Sequence, residues 1–137
     1  MTIHAAQKKD HDAIIKIMAE LELDYPSQSF DGFWIAENDS GIIGIAKLED
    51  LGDLMFLSSV GVIKKEQHKG IAKGFLKHLL KSVKKDVYIY TTIPEFFEGL
   101  DFKRTASRSD LPSKTTFSCK ECTPEICVTM VKHYDGA

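Results

Sequence analysis

No apolar run in this chain approaches the ~20 residues that a bilayer-spanning helix needs, and the sequence reads as having no membrane segment. A large excess of one charge is absent too. Lys and Arg total 18 against 20 Asp and Glu, a net charge of −2. That balance offers no general basic field for nucleic acid. Cysteine is limited to three residues, Cys119, Cys122 and Cys127, close together near the C-terminus. An odd, clustered set does not make the disulfide framework of a small secreted domain. Met1-Thr2-Ile3-His4 lacks the charged start and apolar stretch of a signal peptide. These absences lead to the expectation of a cytoplasmic protein. No Gly-Lys-Ser/Thr P-loop is present, nor the glycine spacing and distant acidic residue of a dinucleotide fold. No Ser-His-Asp or Cys-His arrangement is evident, so no acyl-enzyme is expected.

What is there is ordinary in amount and informative in order. The 137 residues are 43% apolar and 28% charged, which predicts one globular domain over 1–137 with a real core. Residues 3–6 suit a short strand. Asp10 or Asp12 can cap a helix that turns Ile14, Ile15, Met18 and Leu21 inward. Residues 33–37 and 42–48 read as strands joined by Asn38-Asp39-Ser40-Gly41, a hairpin signal. An apolar strand follows over 54–62. Ile71, Phe75, Leu76, Leu79, Leu80 and Val83 share one helical face, and that helix ends at Lys84-Lys85. Residues 87–91 form a strand, Pro94 starts a short helix to 100, and 102–105 and 126–134 are the last strands. The long connection 106–125 is of a length that is often functional. The order predicts a mixed α/β (α+β) sheet of six or seven strands with helices on both faces.

The most informative stretch is Gln67-His68-Lys69-Gly70-Ile71-Ala72, followed by Lys73. It joins a strand to the start of a helix. The first N–H groups of a helix have no partner inside it, and the helix dipole adds positive charge there. Gly70 and Ala72 remove bulk, so phosphate oxygens can approach the backbone. Lys69 and Lys73 add charge nearby. Gly61, inside the preceding strand, marks a bulge, a close ligand or a packing position.

This stretch resembles the acyl-CoA pyrophosphate loop of the GNAT acetyltransferase superfamily, with Gln67, Gly70 and Ala72 at the patterned positions. The element order resembles the same fold over nearly the whole chain. Tyr90-Thr91-Thr92, Phe96-Phe97-Glu98-Gly99-Leu100-Asp101-Phe102 and Leu111-Pro112-Ser113-Lys114 resemble segments of N-acetylglutamate synthases, and small single-domain relatives carry a cysteine-rich stretch like Cys119-Lys120-Glu121-Cys122. There are departures. Gln67 replaces the commoner Arg, Ala72 replaces Gly, and Asp101 replaces a helix-ending Gly. Phe97 stands where many members have a Tyr acid, and Phe56 where many synthases have Glu.

The resemblance implies acetyl-CoA as co-substrate and direct attack by an amine. The backbone of His68, Lys69, Gly70, Ile71, Ala72 and Lys73 would hold the pyrophosphate, with Gln67 as side-chain donor. The backbone of Val60, Gly61 and Val62 would pair with the pantetheine arm. Glu49 and Asp53, flanking the turn before the long strand, are the candidate bases, acting through water. If the acceptor is glutamate or a similar amino acid, its carboxylates need cations. Arg104, Arg108 and Lys114 are at hand, with Arg104 and Lys114 preferred.

The cysteines and His133 have the ingredients of a zinc site. A regular last strand would nonetheless hold Cys127 and His133 roughly 20 Å apart. The expectation is no metal, with Cys119, Cys122 and Cys127 left as weak ligand candidates, and with a reversible Cys119–Cys122 disulfide as an alternative. The leading functional reading is an amino-acid N-acetyltransferase with a small-molecule amine acceptor, no nucleic-acid or membrane partner, and a possible homodimer. The alternatives are a protein N-terminal or lysine acetyltransferase, and a non-catalytic acyl-CoA-binding module.

Overall fold

The computed structural model describes residues 1–21, 31–106, 108–111 and 128–134. The elements follow in the expected order. Strand β1 spans Thr2–Ala5 and helix α1 His11–Glu20. Strands β2 (Phe33–Asn38), β3 (Gly41–Asp50) and β4 (Leu54–Val62) come next. Helix α2 is Ile71–Lys81, strand β5 Asp86–Thr91 and helix α3 Pro94–Glu98. Strands β6 (Lys103–Arg104) and β7 (Val128–Lys132) close the fold. The seven strands form one sheet in the order β1-β2-β3-β4-β5-β7-β6. Every pairing is antiparallel except β4 with β5.

Strand alternation sorts the core onto two faces. One face carries Ala36, Ala46, Leu48, Leu57, Val87, Ile89 and Met130, and is covered by Phe75, Leu76, Leu79 and Leu80 of α2 and Phe97 of α3. The other carries Phe33, Ile35 and Ile45 under Ile14, Ile17 and Met18 of α1. Farther along that face lie Leu54, Phe56, Tyr88 and Val131, with Leu111 against them. Helices on both faces is thus what the two apolar sides of the sheet require.

Some local expectations are corrected. Ile15 is 52% exposed and Ile17 takes its place in the core, because the buried stripe of α1 runs Ile14, Ile17, Met18. Asp10 precedes α1 without capping it; its carboxylate accepts the Gln7 backbone N–H at 2.8 Å instead. Helix α2 ends at Lys81 rather than at Lys84-Lys85. Asp101 adopts φ 71° after α3, the left-handed conformation that the missing glycine required.

A doubly hydrogen-bonded carboxylate fastens the end of the last strand. Asp86, opening β5, accepts the Tyr134 backbone N–H at 2.9 Å and lies 2.9 Å from His133 Nδ1. The Tyr134 N–H first, and His133 second, hold the Asp86 carboxyl below its ordinary pKa. A depressed carboxyl contributes stability above its unfolded pKa, and loses it as falling pH protonates the folded group. The contribution is therefore full above about pH 4–5. Asp86→Asn is expected to flatten the acid limb of a plot of Tm against pH. Its cost at pH 7 should stay below about 1 kcal/mol, since the pair is solvent-screened.

Candidate active site

The β4–β5 ladder pairs Leu54 with Asp86, Met55 with Val87, Phe56 with Tyr88 and Leu57 with Ile89. It stops there, although β4 runs on to Val62 and β5 to Thr91. Beyond that point β4 stays with β3 and β5 stays with β7. A wedge opens between two strands that began as neighbours, and residues 58–62 of β4 have no strand partner on that side among the described residues.

A bulge accounts for the divergence. Ile45 pairs with Gly61 and Lys47 with Ser58, so Ala46 alone opposes Ser59 and Val60. The extra residue bends and twists the strand that carries it. Ser59 takes φ 51°, a conformation uncommon outside glycine. The irregularity expected at Gly61 thus falls just before it. Gly61 itself is paired with Ile45 and puts no side chain on the α1 face of the sheet.

The wedge lies at the C-terminal end of β4, where the chain enters the glycine turn. Residues 64–66 make one 3-10 turn, His68 has φ 65°, and Gly70 has φ 76° as the N-cap of α2. As N-cap, Gly70 offers no side chain to cap α2. The first bond back to the cap is Gly74 N–H to the Gly70 carbonyl, at 3.2 Å. The N–H groups of Ile71, Ala72 and Lys73 precede it and have no carbonyl within the helix to bond. This is an anion site by construction. Two of the expected donors are engaged elsewhere. The Gln67 side-chain amide donates to the Val62 carbonyl at 2.9 Å, tying the turn to the end of β4. The Lys69 ammonium pairs with Glu66 at 2.9 Å. Lys73 and His68 are exposed.

The face of the sheet opposite α2 holds groups that sequence reasoning missed. Lys47 is only 5% exposed, and its ammonium lies 5.7 Å from the centre of the Phe33 ring. Ser58, its cross-strand partner, is the first β4 residue past the ladder; its Oγ is buried and has no hydrogen-bond partner among the described residues. Tyr90 stands on β5 just past the ladder, its ring edge-on to Phe56 with centroids 5.0 Å apart. Lys47 was hidden in the sequence by its alternation with Ala46 and Leu48, which reads as an ordinary solvent-facing lysine.

The other expected residues are scattered. Glu49 is half-buried on the same face as Lys47, opposite Phe56. Asp53 is exposed in the turn before β4, five residues from Ser58, about 17 Å along the strand. Arg104 is on the edge strand β6, paired with Met130, and two strands separate it from β4. Arg108 lies over the Tyr88 ring at 5.4 Å and is held by Asp110 at 2.7 Å. Asp110 first, and the Tyr88 hydroxyl second, raise its pKa. Phe97 is buried against Phe96 and Phe102, so α3 presents no phenol. Lys114, Cys119, Cys122 and Cys127 lie outside the described residues. Among those described, no three His, Cys, Asp or Glu side chains gather as a metal would need.

The model of the acetyltransferase (GNAT) family matches residues 4–97, from β1 into α3. The chain belongs to the GNAT acetyltransferase family. Among solved structures, this GNAT chain is similar to N-acetylglutamate synthase from Neisseria gonorrhoeae, complexed with coenzyme A and N-acetyl-glutamate. The TM-score is 0.75 at 20% identity, over 97% of this chain and 35% of the synthase. The GNAT chain thus spans about a third of the synthase's length. It is also similar to Naa50 of Arabidopsis thaliana, complexed with a bisubstrate analogue (TM-score 0.75, 14% identity, covering 97% and 98%). A third is the PaiA N-acetyltransferase of Thermoplasma acidophilum with coenzyme A (TM-score 0.70, 16% identity, covering 97% and 98%). What these structures share with the GNAT chain, at such identities, is the fold.

Proposed function

We propose that this protein is an acetyl-CoA-dependent N-acetyltransferase acting on a small amino-acid-like amine, with glutamate the leading acceptor. One observation carries the reading. The one parallel pair among the described strands parts beyond Leu57 and Ile89, at the same end of β4 where a helix N-terminus capped by Gly70, with no side chain, follows. A phosphate at residues 70–73 and an extended thioester arm along residues 60–62 would then be continuous. The three structures named above, each with CoA or a CoA-containing analogue, support the donor, and the synthase with its N-acetyl-glutamate supports the acceptor.

The chemistry follows from the positions. The amine lone pair forms the C–N bond to the thioester carbonyl, the C–S bond breaks, and the ammonium proton must leave. Backbone N–H groups of the wedge edge are the donors for the carbonyl oxygen as it gains charge. Glu49, about 7 Å along the strand direction from the level of Ser58, is within reach through a water and is the base this reading assigns. Asp53 is too far along the strand for that role. With Phe97 in the core, the thiolate leaves without a phenolic acid from α3. Orientation of the reactants supplies the larger part of the rate.

The likeness to Naa50 favours a second reading, acetylation of a peptide N-terminus. Free CoA release from acetyl-CoA separates the two. The acceptors are glutamate, aspartate, ornithine, polyamines and a short peptide with a free N-terminus, all under reducing conditions. Turnover with glutamate is the expected result. Turnover with the peptide alone would replace it by the second reading. Tight acetyl-CoA binding without release for any acceptor would leave a non-catalytic acyl-CoA-binding module.

A further inference from the structure

The donor side of the wedge is accounted for by α2 and the glycine turn. The opposite face is not, and it holds two unusual polar groups side by side. Lysine is among the residues least often buried, yet Lys47 is 5% exposed in the middle of the sheet. A buried hydroxyl without a partner is equally rare, and calls for one. Ser58 Oγ is the only such side-chain atom found among the described residues. The two residues are cross-strand partners, so their Cβ atoms lie about 5 Å apart on one face.

Their place matters as much as their burial. Ser58 is the first residue of β4 beyond the last pair with β5. Ser58 therefore stands where the strands begin to part, with Lys47 beside it on β3, on the side away from the pyrophosphate turn. Both are hydrogen-bond donors. Gly61, two bulge residues further on, puts no side chain on that face. Glu49 occupies the same face one pleat away, on the far side of Lys47 from the wedge mouth. Its negative charge confines an anion to the Lys47–Ser58 edge. Phe33, Phe56 and Tyr90 supply apolar walls around it.

We infer that Lys47 and Ser58 form the anion seat of the acceptor site, binding the α-carboxylate of an amino-acid substrate beside the wedge. The inference rests on the proposed acetyl transfer to an amine. The α-carboxylate of an amino acid is separated from its amine by a single carbon. A carboxylate held by Lys47 and Ser58 thus places the amine at the parting of the strands, where the thioester would lie. A polyamine or a peptide N-terminus has no carboxylate at that spacing. The seat selects free α-amino acids over both.

The test compares glutamate, and every other amino acid that the wild type acetylates, with the corresponding α-amide. KM and kcat are measured for wild type, Lys47→Met and Ser58→Ala, and acetyl-CoA affinity is measured by calorimetry. Wild type should prefer each acid to its amide. Lys47→Met should raise KM for the acid by about 10- to 100-fold, the loss expected for one charge-assisted contact. KM for the amide should stay within about twofold, as should the acetyl-CoA Kd. Ser58→Ala should shift the acid in the same direction by about 3- to 10-fold. An acid preference that survives both substitutions overturns the anion seat and leaves the transferase reading intact. So does a wild type that does not distinguish acid from amide. If Lys47→Met does not fold, an unchanged acid-to-amide ratio in Ser58→Ala is decisive against the seat. A wild type that binds acetyl-CoA and acetylates no acid and no amide overturns both readings together.

Discussion

Gly70→Val is expected to weaken acetyl-CoA binding by at least about 100-fold while leaving the protein folded. Gly70 holds φ 76° as the residue before α2. A β-branched side chain in that conformation costs about 1–2 kcal/mol of backbone strain. No described residue lies within 4 Å of a Cβ built there, so among these the substitution meets no clash. The side chain would instead project into the space in front of the Ile71, Ala72 and Lys73 N–H groups, where the pyrophosphate is proposed to sit. Relief of the strain by turning Gly70 out of φ > 0 would misdirect the same N–H groups. Both routes act on the donor site. Calorimetry with acetyl-CoA and with CoA, alongside thermal unfolding, reads the two effects separately. A full-affinity Gly70→Val would remove the pyrophosphate turn from residues 70–73. Gly70→Ala should fall between, since alanine carries the strain with less bulk.

The largest loss of stability is expected from Phe75→Ala. Phe75 is 1% exposed, and its ring reaches Gly44, where a Cβ would come within 3.5 Å of it. Gly44 pairs with Val62, the last residue of β4. The ring thus joins the second turn of α2 to the strand pair that carries the bulge. Removing it deletes a buried aromatic and leaves a void, at a cost of about 3–5 kcal/mol. For a chain of this size that corresponds to a Tm lower by about 10–20 °C. Acetyl-CoA affinity should fall as well, because the N-terminus of α2 would no longer be fixed against β4. Saturating acetyl-CoA should recover part of the lost Tm, as binding to the native state alone stabilises it. A Phe75→Ala variant with unchanged Tm would mean that the contact between α2 and the sheet is not the one described. Phe75→Leu, which keeps most of the apolar bulk, should lose much less.

Several parts of this architecture are legible in the sequence. The hairpin at residues 38–41 was announced by Asn-Asp-Ser-Gly between two apolar runs, and β2 and β3 meet there at Asn38 and Gly41. The apolar run 54–62 became β4 with those bounds. The spacing of Phe75, Leu76, Leu79 and Leu80 named the buried face of α2. Such signals are local. Turn chemistry and side-chain period act over a few residues, so the chain displays them in its own order. The start of α2 at Ile71 is legible for the same reason, through Gly70 just before it. Ile15 was misplaced because a ten-residue helix leaves two overlapping stripes to choose between. Only packing against Phe33, Ile35 and Ile45 decides for Ile17.

The candidate site obeyed a different logic. The wedge between β4 and β5 depends on which strands are neighbours, and β5 lies a whole helix away in sequence. The bulge at Ser59 depends on the register against β3, where Ala46 opposes two residues. Neither leaves a periodic mark. Lys47 shows the consequence most clearly. As a letter in Ala46-Lys47-Leu48 it reads as a polar position on an alternating strand, and the better candidates were Arg104 and Lys114, which stand near the matched C-terminal motif. The sheet order carries Arg104 to the edge and buries Lys47 on an inner strand, next to the strand that borders the opening. The sequence by itself determined the elements, their order and the anion-binding turn, because these arise from local conformational preference. Tertiary structure alone decided where the sheet opens and which lysine is buried near it, because both are set by contacts between strands that are distant in the chain.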